Sequence, residues 1–302
     1  MTSGVIASSE SVWEAQSCGR ARRLRRFLGQ MPVTGVAGGV ILLVLVGSAL
    51  AAPLVAPHDP NVGDTAQRIA KPSADHLFGT DQLGRDVFSR IVYGGRYSLG
   101  ASLAVVALSA SIATAVGVIS GYFGGKIDLV IQRFVDAWMA FPAFLLLIAL
   151  ISLLGPNLTN VIVVMSIAMA GGMSRIVRSS VLVVKEAPFV EMARVIGASD
   201  TRIILFHISP QVVPLVLVLA SVQLGGVVLA LASLGFLGLG IPPPTPEWGS
   251  MLSGRTRDFM YTAWWLGLFP GLAITLTVLS LNLFFDSVRD LIDPRMRGTG
   301  RN

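Results

Sequence analysis

A single cysteine, Cys18, stands among 302 residues, so no internal disulfide framework holds this chain. There are three histidines, His58, His76 and His207. They are scattered, and neither HExxH nor CxxC occurs, so the sequence offers no metal motif. No Ser/His/Asp set is recognisable, and no catalytic residue, cofactor or metal ligand is assigned. The nearest approach to a Walker A loop is Ser120-Gly121-Tyr122-Phe123-Gly124-Gly125-Lys126-Ile127. Ser120 replaces its first Gly and Ile127 its final Ser/Thr, which removes part of the phosphate cradle and the magnesium ligand. Charge is scarce as well. Asp, Glu, Lys and Arg make up 13% of the chain, against about 25% in soluble proteins. That excludes a disordered chain, a coiled coil and an ordinary cytosolic enzyme.

What the chain has is apolar length. AVILMFWYC residues make up 53%. Six stretches approach the roughly 20 apolar residues needed to cross a bilayer as a helix: about 33–56, 98–120, 134–154, 158–182, 212–238 and 262–285. They are continuously apolar and do not alternate, which argues against transmembrane strands. The expected fold is all-α and polytopic. A signal peptide competes for the first stretch, with Ala49-Leu50-Ala51 as a cleavage-like site. The apolar run 33–56 is too long for an h-region of about 7–15 residues, so a retained span is expected.

The net charge is +6. Sixteen of the 23 Lys and Arg fall in 1–32, 121–133, 174–211 and 286–302, and seven in 57–97 and 239–261. The positive-inside rule makes the first side cytoplasmic, with both termini inside. The run Arg20, Arg22, Arg23, Arg25, Arg26 is read as this topology signal, not as a nucleic-acid site. Trp264 and Trp265 open the sixth span, where an aromatic belt would sit. Arg175 and Arg178, late in the fourth span, could snorkel to the interface.

Nothing titratable lies at an expected midplane. Asp136 sits near the cytoplasmic end of the third span. A proton- or sodium-coupled transporter usually needs a midplane group, so the pattern favours a pore driven from outside the membrane. Gly100, Gly117 and Gly121, and Gly225, Gly226, Gly235, Gly238 and Gly240, suit close helix packing, with a gating hinge as the alternative. Pro142 should kink the third span.

The segment Val184–Pro214 is amphipathic. Glu186–Ile196 reads as a short helix, with Gly197 at a left-handed C′ position. Ser199 can cap a second helix with Asp200 in its first turn. That helix should stop near Pro210. The pair would expose Glu191, Arg194, Asp200 and Arg202 and bury Ile203, Ile204 and Phe206, forming a docking hairpin for a soluble partner.

Glu191-Met192-Ala193, Gly197 and Ile208-Ser209-Pro210 resemble the EAA motif of ABC importer permeases, with Met192 and Ser209 departing from the usual Ala and Leu. His76–Arg90 resembles a segment of the dipeptide/oligopeptide branch that reads HxxGTDxxGRDxxSR. Ser120–Gly125 with Asp128, Leu234–Gly240, Glu247-Trp248-Gly249 and Asp286–Arg295 are similar too. The resemblance covers about residues 30–297 and points to the C-type permease subunit of a dipeptide-type importer.

The resemblance implies the type I ABC importer permease fold with six transmembrane helices in the bacterial inner membrane. It implies a cytoplasmic tail 1–32, a first span 33–56, an outer loop 57–97, a permease core 98–285 and a tail 286–302. Coupling helices at about 186–208 would carry Glu191, Ala193, Arg194, Gly197, Ala198, Ser199 and Arg202 to the ATPase. Asp81, Arg85, Asp86 and Arg90 would serve a binding-protein contact, or else form a capped surface helix with internal ion pairs. The Pro242–Pro246 run is read as stiff and extended, either vestibule wall or connector. The implied partners are a homologous second permease, two ABC ATPase subunits, an extracytoplasmic solute-binding protein and membrane lipid, with no nucleic acid. The implied cargo is a dipeptide or short oligopeptide. The alternatives are a nickel chelate, glutathione or opine carried by the same machine, or a secondary transporter.

Overall fold

The computed structural model describes residues 31–254, 256–259 and 261–292. Cys18, the Arg20–Arg26 run, the rest of the N-terminal tail and the tail beyond Ile292 lie outside the described residues. Among the described residues the regular structure is helical, with two isolated bridges, Gly63–Arg85 and Thr80–Asp86, and no strand.

Helix α1 spans Val33–Leu50 and breaks at Ala51 before α2, Ala52–Val55. The outer loop contains a 3-10 turn at Thr65–Gln67. Helix α3, Val87–Phe123, has 37 residues, about 55 Å against a hydrocarbon core of about 30 Å. It therefore starts well before the apolar run at 98. The Asp86 carboxylate caps it by accepting the Ser89 N–H at 2.7 Å.

The third crossing departs from a single span. Helix α4, Gly125–Met139, meets α5, Ala143–Leu154, at 86° across Phe141-Pro142. Proline lacks the N–H that would continue the ladder, and the residue before it is driven out of the α region. Helix α5 alone reaches only about 18 Å. Helix α6, Leu158–Val184, is capped by Asn157, whose side chain accepts the Asn160 N–H at 2.8 Å. Next come α7, Pro188–Val195, and α8, Asp200–Ile203. A π turn, Ile204–Ile208, joins α8 to α9, Ser209–Phe236. Two short helices, α10 (Trp248–Met251) and α11 (Thr256–Phe259), precede α12, Trp265–Ile292. Five helices, counting the α8–α9 rod as one, are long and apolar enough to span a membrane, six if the bent α4–α5 pair counts as one span.

The helical rod that begins with α8 does not stop near Pro210 as expected but runs on into α9. The π turn widens the helix just ahead of that residue and makes room for its ring. Arg175 and Arg178 both find acidic partners on α4. Arg178 forks onto Asp128 of α4, with Nε 2.6 Å from Oδ1, and Arg175 pairs with Asp136. These two ion pairs tie the bent α4 to α6.

Helices α3 and α6 approach closely at Gly117 and Gly121. A Cβ on Gly117 would lie 2.7 Å from both the Ser174 carbonyl oxygen and Val177 Cβ. This is small-residue packing of the kind lipid-embedded helices use, because hydrophobic burial gives little drive between them. Gly100, on the same helix, meets nothing within 4 Å. Gly117→Leu should cost about 1–3 kcal/mol through overpacking, while Gly100→Leu should stay within about 0.5 kcal/mol. Thermal unfolding of the two purified variants in detergent checks the contrast.

Candidate functional site

The hairpin between α6 and α9 is built from local rules. Pro188 sits in the first turn of α7, where a missing N–H costs nothing. Gly197 adopts φ +83°, and two bonds close the helix behind it. The Gly197 N–H donates to the Arg194 carbonyl at 2.9 Å, and the Ala198 N–H donates to the Ala193 carbonyl at 3.0 Å. This is the Schellman pattern, which needs a left-handed C′ residue. Ser199 then caps α8 by accepting the Arg202 N–H at 3.4 Å, with Asp200 in the first turn.

The hairpin is anchored from inside. Val190, Ala193 and Ile203 are fully or almost fully buried and pack with Val177 and Val181 of α6 and Val212 of α9. A long-range bond adds to this: the Tyr122 hydroxyl, at the end of α3, donates to Asp200 Oδ1 at 2.6 Å. The Arg194 guanidinium lies over the Tyr122 ring, 5.7 Å from its centroid. Tyr122, Lys185, Glu186, Glu191 and Arg194 line a cleft of about 480 Å³. Tyr122 was not assigned a role from sequence. Its place in the Ser120–Gly125 stretch was the available signal, but its partner lies far away in the chain.

Glu191, Arg194, Asp200 and Arg202 are exposed, and Ile203 is buried. Ile204 is only half-buried, and Phe206 is 72% exposed, contrary to expectation. The π turn adds a residue to that turn and rotates Phe206 off the core face. The tip also shows a second property, unpaired apolar surface: Val195 and Ile196 are each 82% exposed and Met192 is 68% exposed. The tip is therefore mixed, with apolar knobs ringed by charge.

On the other side of the fold, Asp81, Arg85, Asp86 and Arg90 are all buried. Asp81 Oδ2 takes Arg85 Nε at 2.7 Å and faces Arg90 Nε at 3.7 Å. Its Oδ1 accepts the Leu83 and Arg85 backbone N–H groups. Arg90 also donates to the Pro60 carbonyl at 2.7 Å. Asp86 caps α3, and the four charges do not form a surface helix. They brace the outer loop from within. Trp265 is buried there too and donates to the Thr80 carbonyl at 3.2 Å, so of the expected aromatic belt pair only Trp264 is exposed.

The Pro243–Pro244 peptide is cis, a departure from the uniformly extended run expected. Pro243 and Thr245 line an outer cavity of about 530 Å³ together with Arg68, Gln82 and Arg85. Below it, Glu247 is fully buried, accepts the Gly249 and Ser250 N–H groups at 2.7 Å each and lies near Ser98 of α3. Burial pushes its carboxyl above the ordinary carboxylate range, against the pull of those donors.

A bundle of membrane-length apolar helices with a hairpin at one end and a braced loop at the other defines a polytopic membrane protein. Residues 113–298 match the family described as binding-protein-dependent transport system inner membrane component. Residues 32–72 match the N-terminal TM domain of oligopeptide transport permease C. The dipeptide transport system permease protein DppC of Alkalihalophilus pseudofirmus is 40% identical over 262 residues, 87% of this chain and 86% of that protein. The glutathione transport system permease protein GsiD of Escherichia coli O6:K15:H31 is 43% identical over 275 residues, 91% and 90% of the two chains. The probable D,D-dipeptide transport system permease protein DdpC of Escherichia coli K12 is 39% identical, over 88% and 89%. The chain belongs to the binding-protein-dependent transport system inner membrane components, multi-pass proteins of the type I importer permease fold, in their C-type branch.

Proposed function

We propose that this chain is one of two permease subunits lining the pathway of an ATP-driven importer for dipeptides or short oligopeptides, and that it hydrolyses no ATP itself. The observation that carries the reading is the hairpin tip, where Met192, Val195 and Ile196 stand exposed among Glu191, Arg194, Asp200 and Arg202. Apolar knobs with a charged rim suit a groove on a soluble ATPase. Ala193 and Ala198 let the two helices sit close to the spans. Gly197 and Ser199 fix the turn between them. Because the hairpin shares one core with α6 and α9, a displacement at its tip is carried to the spans.

In this reading the hairpin and both termini are cytoplasmic, two ABC ATPases sit beneath, and a homologous permease completes the pathway. A solute-binding protein delivers cargo to the outer face, and lipid surrounds the spans. Asp81, Arg85, Asp86 and Arg90 serve that delivery by holding the outer loop in shape, while exposed residues such as Val62, Leu77 and Leu83 make the contact. ATP drives the switch only through the ATPases' different affinities for the two states. The absence of a Walker A loop in the sequence supports the division of labour. Relatives named for dipeptide transport support the cargo, and a relative named for glutathione transport at 43% identity supports glutathione, itself a short peptide, as the second reading.

The experiment is reconstitution of this chain with its co-expressed partners in proteoliposomes. ATP-dependent uptake of labelled dipeptide, competed weakly by glutathione, is the expected result. Strong glutathione uptake shifts the cargo to the second reading. Uptake by this chain alone without ATP overturns the reading.

A further inference from the structure

Two of the three scattered histidines converge in the outer loop on a carboxylate. We propose that His58, His76 and Asp86 form a binding site for one divalent transition-metal ion of borderline softness, of the zinc, cobalt or nickel class. One ligand atom from each of the three lies within 4.8 Å of the others. His76 Nδ1 is 2.9 Å from Asp86 Oδ1, and His58 Nδ1 is 4.0 Å from Asp86 Oδ2. The two imidazole rings lie 4.8 Å apart, tilted by 34°.

The other nitrogen of His76 has an outer partner: His76 Nε2 is 2.7 Å from Gln67 Oε1. Without an ion, a proton on Nδ1 satisfies the contact with Asp86. When an ion displaces that proton, an Nε2–H donated to Gln67 holds the tautomer in which Nδ1 ligates. Asp86 Oδ2 is used by the Ser89 N–H, so Oδ1 remains for the ion.

The surroundings favour a cation. The site opens into a cavity of about 290 Å³ whose lining includes Asp59 and Asp64 as well, with no Lys or Arg. Two imidazoles and one carboxylate suit zinc-like ions, whereas calcium and magnesium prefer all-oxygen shells. Asp86 is almost wholly buried and His76 largely so, while 43% of the His58 side chain is exposed. The His58 backbone N–H donates to Ser89 Oγ at 3.2 Å, so the ring can swing in while the backbone stays fixed. The bound ion would clasp the chain leaving α2 to the start of α3.

Titration of the purified chain, carrying a tag without histidines, with Co2+ followed by Zn2+ competition tests this. One Co2+ per chain with visible ligand-field absorption, displaced by Zn2+, is expected. His58→Ala and His76→Ala should each weaken binding at least tenfold, and Gln67→Leu by about 10–100-fold. His58→Ala removes a half-exposed ring, so it should fold as the wild type does, which keeps the test decisive if His76→Ala does not fold. No saturable binding, or binding unchanged in His58→Ala, overturns the proposal. The readout does not depend on transport.

Discussion

Asp81→Ala should destabilise the outer loop by about 3–5 kcal/mol, the cost of removing one partner from a buried ion cluster. Among the described residues the carboxylate is the only acidic group paired with the Arg85 guanidinium, at 2.7 Å, and it faces Arg90 at 3.7 Å. Both arginines are almost wholly buried. Without Asp81 two like charges are left side by side out of water, and the Leu83 and Arg85 N–H groups lose their acceptor. Asp81→Asn retains an acceptor for those N–H groups but not the charge, so it should fall between the variant and the wild type. Denaturant unfolding in detergent, with limited proteolysis of residues 57–86 as a local probe, checks the order. A wild-type midpoint in Asp81→Ala would mean that the arginines are held by something other than this carboxylate.

The same cluster shows what could be read along the chain and what could not. The alternating signs at 81, 85, 86 and 90 are plain in the sequence, and they suggest internal ion pairs. Their burial is not plain, because Arg90 is held by Pro60 and by the loop folding back across α3. Hydropathy located the five stretches that form membrane-length helices, since bilayer thickness sets their length directly, while the third stretch is a bent pair. The helix that carries the second stretch begins before its apolar run: residues 87–97 are helical but polar, carrying Arg90 and Arg96. Pro142 announced a kink in the third stretch. The ion pairs that tie the bent segment to α6 were not legible, because Asp128 and Asp136 meet Arg178 and Arg175, partners 50 and 39 positions away.

The hairpin was largely legible because its rules are local. A glycine after a short amphipathic helix, then a serine and an aspartate, specify the Schellman closure and the next cap within a few residues. The Tyr122–Asp200 bond was not legible, because it joins groups 78 positions apart. The exposure of Phe206 depends on a π turn that no composition rule signals. His58, His76 and Asp86 had no ligand spacing in sequence, and only the folding of the loop unites them.

Val195→Glu and Ile196→Glu are the variants expected to separate folding from transport most sharply. Each side chain is 82% exposed and belongs to no internal cluster, so neither variant should change membrane insertion or thermal stability by more than about 0.5 kcal/mol. If the hairpin tip fills an apolar groove on the ATPase, a buried carboxylate there should cost about 2 kcal/mol or more of docking energy, roughly a thirtyfold loss. Co-purification of the ATPase subunits should then fail, and ATP-driven uptake should fall at least tenfold. Val190→Glu is the instructive contrast: Val190 is fully buried against the spans, so that variant should lose the folded hairpin and transport together. Docking and uptake that survive in both tip variants would sink the tip as the coupling surface. Attention would then move to the charged cleft between Tyr122, Lys185, Glu186, Glu191 and Arg194, where the hairpin meets the end of α3.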